Sequence, residues 1–278
     1  MALSGAALAA EPAPIPPPPP PPLWTGFYVG LNAGGTWSNN SNVATVTGNG
    51  ATFPGFDPLG IASAGLANTS VPVRIDGFIG GGQFGDNYQF ANRWVGGFES
   101  DFQGIATSNQ RTTLFSETTA DVAGVGFPIN QSLTASRRLE WLGNDRFRIG
   151  YLITPTFLLY GTGGLSYGET RASVALAQNV AGSPSASFGT LNRTLAGWSA
   201  GGGVEWLISP NWSLKVEYLY YDLGHVTIGM GPLVNSVAGV PVTVGAPAAV
   251  TRFNGNIVRA GLNYHIDFSM LAPIFARF

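Results

Sequence analysis

The chain has 278 residues, of which only 10% are charged and 45% are hydrophobic, and its formal net charge is −2. A soluble domain averages roughly 25% charged residues, so this chain has too few charges to cover a soluble surface of its size. Low charge together with 39 Gly and 7 Trp favours an exterior that partly faces lipid. The absence of cysteine excludes disulfides and thiolate metal sites. The charge is neither large nor clustered, so nucleic acid is not an expected partner.

The N-terminal 22 residues are expected to precede the folded domain. Residues 1–10, MALSGAALAA, are similar to the end of a secretory signal peptide, although the positively charged start of such a signal is missing. Residues 11–22, EPAPIPPPPPPP, predict a polyproline II linker. No later window holds 18 consecutive apolar residues, so no transmembrane helix is predicted. A membrane-spanning chain of this kind would then be a closed β-barrel, which pairs every backbone N–H and C=O.

Eight stretches with a period of two residues follow, and each is a predicted β-strand. The connections after the second, fourth and sixth stretches are short, whereas the other four run to roughly twenty to thirty-five residues rich in Ser, Thr, Asn, Gly and Ala. Outer-membrane barrels alternate short periplasmic turns with long external loops in this way. The sequence therefore predicts an all-β protein, an eight-stranded antiparallel transmembrane barrel over 23–268, followed by a C-terminal tail over 269–278. The predicted strands are 24–37, 73–84, 92–106, 136–152, 156–171, 193–208, 211–228 and 254–268.

Aromatic residues cluster by height along these strands, as expected at a membrane–water interface. Trp37, Phe102, Tyr167 and Tyr220 are candidates for the outer interface. The residues expected at the periplasmic interface are Trp24, Trp94, Trp206, Trp212, Tyr264 and Phe268. Their distribution predicts that the apolar face of each strand points to lipid.

The opposite face of the strands carries the charged residues, which would then fill the lumen. Because an eight-stranded barrel is only wide enough for its own side chains, acids and bases in near balance predict a paired, hydrogen-bonded plug. A narrow ion path along the same charges is the alternative. Asn32 and Asn263 are expected beside them. The predicted lumen charges are Glu99, Asp101, Arg146, Arg148, Glu205, Lys215, Glu217 and Arg259.

Five segments resemble one protein family in order along the chain. They are WTGFYVGLNAGGTW, LEWLGNDRFRIGY, LLYGTGGLSYGE, GVEWLISPNWSLKVEYLYYDLG and NIVRAGLNYHI. They are similar to the small outer-membrane β-barrel proteins of alphaproteobacteria, also called porin-family or outer-membrane immunogenic proteins. The resemblance implies an eight-stranded barrel in the outer membrane and a role as surface antigen or in envelope integrity. It also implies weak pore activity or haem binding in some members. Two departures are the pair Asn144–Asp145, which predicts an irregular fourth strand, and the tail after Phe268.

No constellation of nucleophile, base and orienting group stands out, so the protein is not expected to be an enzyme. His225 and His265 are the only histidines and are predicted at opposite ends of the barrel, so neither a metal nor a cofactor is expected. Three functions remain, in this order: a structural, surface-exposed envelope component; a low-conductance porin; and a receptor for haem or another ligand, for which His225 with Tyr220 or Tyr221 would supply iron ligands. Expected partners are outer-membrane lipid, the barrel assembly machinery, and envelope or host-surface components that meet the loops.

Overall fold

Eight antiparallel strands close into a barrel in a computed structural model that describes residues 23–48, 57–107, 110–237 and 240–266. Around the ring, each strand pairs with its two neighbours, and β1 (Gly26–Ser38) pairs with β13 (Ala248–His265) from Tyr28 opposite His265 to Ser38 opposite Gly255. The predicted fold class is confirmed, and each predicted strand has its counterpart. The proposed signal-like segment, the linker and the tail lie outside the described residues. In ring order the strands are β1 (Gly26–Ser38), β4 (Gly77–Phe90), β5 (Trp94–Thr107), β7 (Val125–Thr154), β8 (Phe157–Val180), β9 (Ser183–Ser209), β10 (Trp212–Gly229) and β13 (Ala248–His265).

Short turns join the strands at one end of the barrel, as predicted. They comprise residues 91–93, 155–156 and 210–211. The first turn differs from its predicted place, because β4 continues through Phe90 and includes most of the segment that was expected to turn. Ala91 and Asn92 adopt positive φ angles of 47° and 63°, which lets the chain reverse within three residues.

The long connections at the opposite end are also largely ordered, which their Ser-, Thr- and Ala-rich composition did not predict. β7, β8 and β9 have 30, 24 and 27 residues and extend well beyond the other strands of the ring, and β8 and β9 meet at a two-residue turn, Ala181–Gly182. β6 (Arg111–Val122) forms a hairpin with the outer part of β7. Backbone hydrogen bonds between neighbouring strands hold these residues in the sheet. Their side chains alternate only weakly between polar and apolar, so the sequence pattern does not reveal these strands.

The first and last connections fill and cover the outer end of the barrel. The first contains β2 (Asn42–Val46), α1 (Asp57–Ala67) and β3 (Ser70–Pro72), and the last contains the hairpin β11 (Leu233–Val237) and β12 (Val240–Gly245). Ala64 and Ala67 of α1 join a buried apolar cluster with strand residues such as Leu133 and Phe253. Within the described ranges, no helix is long and apolar enough to cross a membrane.

The outer face of the barrel is an apolar belt. On β1, Phe27 and Leu31 are 51% and 72% exposed, whereas Tyr28 and Asn32 are 1% and 5% exposed. Aromatic pairs border the belt near the turns, with ring centroids 5.3 Å apart for Trp94–Tyr151 and 5.1 Å apart for Trp212–Tyr264. A second group lies eight to ten residues further along the strands: Trp37, Phe102, Trp141, Tyr167, Trp198 and Tyr220. Tilted strands cover about 20 Å over eight residues, close to the height of the apolar band in membrane barrels.

Two features of the wall differ from the sequence-based expectation. Trp24 is completely buried at the periplasmic mouth, where its indole N–H donates to the Pro155 carbonyl at 3.0 Å, so it is not an interface residue. Its parity along the chain matches that of inward-facing Tyr28, which explains the burial. The irregularity expected at Asn144–Asp145 is also misplaced: these residues keep regular register, and the register of β7 shifts between Leu139 and Trp141 instead. Phe268 lies outside the described residues.

Candidate functional site

All eight predicted lumen charges lie together inside the barrel. Because alternate residues of a strand face the same side, each strand contributes its charges from one parity. Antiparallel register then places opposite charges on neighbouring strands: Glu99 faces Arg146, Lys215 faces Glu205, and Glu217 faces Arg259. Each of the eight residues is at most 4% exposed.

Two arginines and two acids form the outer layer of this cluster. The Arg146 guanidinium donates to Asp101 at 2.7 Å and to Glu217 at 3.2 Å. The Arg259 guanidinium donates to Asp101 at 2.8 Å and to Glu217 at 2.6 Å. The four groups therefore form a closed ring of charge-assisted hydrogen bonds, in which each cation contacts both anions.

Glu99 and Lys215 connect this ring to the inner layer. The Lys215 ammonium donates to both Glu99 carboxylate oxygens, at 2.7 and 2.8 Å. Glu99 also accepts hydrogen bonds from Arg146 at 2.9 Å and from the Tyr28 hydroxyl at 2.7 Å. Three donor groups thus make four hydrogen bonds to one carboxylate.

The inner layer lies nearest the periplasmic mouth. The Arg148 guanidinium donates to Glu205 at 2.6 Å and lies 4.1 Å above the centroid of the Tyr160 ring. Glu205 also accepts from the Ser213 hydroxyl at 2.5 Å and from the Asn263 amide at 2.7 Å. Its lone pairs are therefore occupied by neighbouring side chains.

The composition of this cluster makes it neutral. Four carboxylates and four cations are present, and every one has an opposite charge within 4.0 Å. Buried charges are tolerated only when they are paired and hydrogen-bonded. The charges therefore neutralise one another, while Arg146 Nε, Arg148 Nε and Arg259 Nη1 are buried without a hydrogen-bond partner among the described residues.

Several polar partners in the lumen were not predicted. Their signal lies in the sequence, because most share the inward parity of the charges, although a tyrosine is also typical of a lipid interface. Asn32, which was predicted, donates to Gln83 at 3.0 Å. The partners that were missed are Tyr28, Gln83, Gln103, Asn144, Tyr160, Ser166, Ser213 and His265.

Apolar layers close the charged cluster at both ends. At the periplasmic mouth the layer consists of Trp24, Val95, Leu152, Leu158, Tyr160 and Leu207. On the outer side, inward-facing side chains begin directly beyond the charges and continue into the cluster that contains α1. They include Ile79, Ile105, Leu142, Leu219 and Ile257, of which only Ile105 exceeds 2% exposure. Ions would therefore have to pass apolar side chains before and after the charges.

Beyond the apolar belt, the buried side chain of Arg137 binds the first connection, which covers the outer end of the barrel. The Arg137 guanidinium donates to the backbone carbonyls of Asn40 at 3.0 Å and Arg252 at 2.6 Å, and it lies 4.9 Å above the Phe253 ring. Burial lowers the pKa of Arg137 to about 10, so it stays charged at neutral pH. Nearby, burial raises the pKa of Asp222, but hydrogen bonds from Arg252 and the Gly224 N–H outweigh this and bring the pKa below its ordinary value.

The arrangement offers little for catalysis or cofactor binding. The Ser213 hydroxyl lies 2.9 Å from His265 Nε2, but it is fully buried and donates to Glu205, so it cannot attack a substrate. The described residues contain no cluster of three or more metal-ligating side chains. Of the proposed haem ligands, Tyr221 is buried inside the barrel, whereas Tyr220 and exposed His225 both lie on the outer face.

Comparison with known proteins gives one family over nearly the whole chain. The model of the outer membrane protein β-barrel domain matches residues 1–265. The chain is 33% identical to the 31 kDa outer-membrane immunogenic protein of Brucella melitensis over 264 residues, which is 95% of this chain and 92% of the relative. It is 34% identical to the 22 kDa outer membrane protein of Rhizobium leguminosarum over 82 residues, 30% of this chain and 33% of that protein.

Among solved structures, the outer membrane protein OprG of Pseudomonas aeruginosa has a TM-score of 0.39 at 11% identity, covering 87% of this chain and 97% of its own. Ail of Yersinia pestis has a TM-score of 0.29 at 12% identity, covering 86% and 99%. These low scores add nothing to the assignment, which follows from the family model, the Brucella relative and the barrel itself. The chain belongs to the outer membrane protein β-barrel family and is located in the outer membrane of a Gram-negative bacterium.

Proposed function

We propose that this protein is a closed, structural component of the outer membrane that presents its outer strands at the cell surface. The observation that carries the proposal is the neutral cluster of eight lumen charges between two apolar layers. A conducting pore needs a continuous polar path with room for water. Here the same charges bond to each other, and Trp24 fills the mouth.

The outer extension supports the surface role. The β6–β7 and β8–β9 hairpins carry exposed side chains on their outer face, among them Phe115 at 78% and Phe188 at 66% exposure. The Brucella relative is named an outer-membrane immunogenic protein, which favours a similar exposure here. Envelope or host-surface components are the partners proposed for these hairpins, with outer-membrane lipid around the belt and the barrel assembly machinery during insertion.

Single-channel recording of the refolded full chain in a planar bilayer tests the proposal. Folding is verified first by gel mobility, because folded barrels migrate differently in SDS before and after boiling. The expected result is a silent membrane with inserted wild-type protein. A variant in which Glu99, Arg148, Glu217 and Arg259 are changed to Ala together with Trp24, Leu142 and Leu219 should conduct measurably, because it removes the charge pairs and opens both apolar layers. Stable, reproducible steps from the wild type would instead establish the low-conductance porin and reject the plug.

The haem receptor is tested by adding haem to the same refolded protein and recording its absorption spectrum. No spectral shift is expected, because Tyr221 is buried inside the barrel and the Tyr220 hydroxyl accepts a hydrogen bond from the Asn254 amide at 2.9 Å. A shift that is lost in His225→Ala would establish the receptor function instead.

A further inference from the structure

Three arginines lie on the outer face of the barrel just beyond the external aromatic group. Arg138 of β7 is directly opposite Arg171 of β8, and Arg111 of β6 is opposite Ser136, two residues further out on β7. The side chains of Arg138 and Arg171 are 41% and 51% exposed. From these positions we infer that the three arginines form a binding site for the phosphate groups of outer-leaflet lipids.

The height of the site on the barrel places it at the lipid headgroups. Tyr167, in contact with Trp141 at the edge of the apolar belt, precedes Arg171 by four residues on β8. Four residues of a tilted strand rise about 10 Å, which is comparable with the headgroup region of a bilayer. The position therefore favours a lipid ligand over a soluble polyanion.

The carboxylates beside the arginines direct the guanidinium groups toward the membrane. Arg138 Nε lies 3.3 Å from Glu140, and Arg171 Nη2 lies 2.9 Å from Glu169. Both acids lie between the arginines and the aromatic group, so each guanidinium is turned back toward the belt. Arg171 uses Nε and Nη2 in these contacts, which leaves Nη1 for a ligand.

The charges at the site are incompletely balanced. Arg138 and Arg171 are like charges directly opposite each other, which is unfavourable in an antiparallel pair. Among the described residues, no carboxylate lies within 4.0 Å of the Arg111 guanidinium. The three arginines line a surface depression of about 410 Å³, together with Ser136 and Ser173. A phosphate there would accept several charge-assisted hydrogen bonds and offset the repulsion.

Native mass spectrometry of the refolded full chain in detergent tests this inference. The probes are phosphatidic acid, which carries a phosphate monoester, and phosphatidylcholine, whose headgroup has no net charge. The wild type is expected to retain phosphatidic acid preferentially. Changing Arg111, Arg138 and Arg171 together to Gln should weaken that binding roughly tenfold, since each basic residue near a membrane surface contributes measurably to anionic lipid binding.

Arg74→Gln is the matched control, because Arg74 is an exposed outer arginine paired with Asp76 outside this cluster. It should bind phosphatidic acid as the wild type does. If the triple variant lacks the heat-modifiable gel mobility of a folded barrel, Arg111→Gln alone is measured. Its binding of phosphatidic acid is expected to be severalfold weaker than that of the wild type.

Equal binding by wild type and folded variant would overturn the inference. Displacement of the lipid by an equal concentration of inorganic phosphate would assign the site to a free anion, and tighter binding of soluble heparin would assign it to a glycan. The inference rests on the outer-membrane location, and it holds whether or not the lumen conducts.

Discussion

Glu99 accepts four hydrogen bonds in the lumen, so replacing it with Gln should destabilise the barrel strongly. Lys215 has Glu99 as its nearest anion, at 2.7 Å, and both side chains are at most 3% exposed. The Glu99→Gln variant leaves the cluster with one excess positive charge and turns an amide N–H₂ toward donors. Removing one member of a buried ion pair costs about 3–5 kcal/mol. This cost corresponds to a shift of roughly 2 M in the urea midpoint.

The double variant Glu99→Gln, Lys215→Met separates the charge effect from the loss of packing. It restores a neutral cluster of similar volume, and replacing a whole buried pair is often neutral or stabilising. We therefore expect it to recover most of the lost stability. The assay is urea unfolding of the refolded barrel in lipid vesicles, followed by tryptophan fluorescence and heat-modifiable mobility. A Glu99→Gln cost below about 1 kcal/mol, with no recovery in the double variant, would mean that water or ions screen Lys215. That result would refute the dry, paired lumen.

Three further changes test the remaining parts of the structure. Arg137→Met should release the first connection from the wall, since the Arg137 guanidinium binds backbone carbonyls of that connection. Limited proteolysis should then cut the connection, while the urea midpoint for unfolding of the barrel is unchanged. Gly143→Ala should lower the free energy of unfolding by about 1–3 kcal/mol, because a Cβ at Gly143 would lie 2.6 Å from the Tyr167 ring. Urea unfolding should show a smaller loss when the same substitution is made in a Tyr167→Ala background. The hydrogen bonds that lower the pKa of Asp222 stabilise the outer ends of β10 and β13 at neutral pH. Protection of the amides of these two strand ends from hydrogen exchange should therefore fall as pH drops through the acidic range, and Asp222→Asn should abolish that dependence.

The outcomes that contradict these expectations are equally specific. If the first connection of Arg137→Met resists proteolysis as it does in the wild type, apolar packing alone holds that connection against the wall. An equal loss for Gly143→Ala in both backgrounds would exclude Tyr167 as the cause. A pH dependence that survives in Asp222→Asn would assign it to another carboxylate.

The strands were predictable because the membrane enforces a simple alternation. Lipid selects apolar side chains on one parity, such as Phe147 and Ile149, and the narrow lumen collects charges such as Arg146 and Arg148 on the other. The parity of Trp24 predicts its inward position, whereas its height near the turn end favours the interface. The acid–base balance predicted a paired cluster, whereas the individual partners depend on strand register, which one sequence does not specify.

The outer end was predicted less well, for a different physical reason. α1 (Asp57–Ala67) is rich in Gly and Ala, so its polar and apolar side chains do not alternate with a helical period. It also has no basic residue in its last turn, which would have marked the end of a helix. Its stability comes from burial against strands distant in the chain. The β6–β7 hairpin is likewise held by a backbone ladder rather than by a distinctive side-chain pattern.

The pairing of the first and last strands of the ring bears on the order in which the protein folds. β4 with β5, β8 with β9 and β9 with β10 can each pair locally. The hydrogen bond from Arg259 of β13 to Asp101 joins residues 158 positions apart. Such distant contacts form late, because closing a long loop costs entropy before any contact stabilises it. Asp101 and Glu217 therefore lack one of their cations until β13 pairs, so the charged cluster stays electrostatically incomplete until the final strand is added.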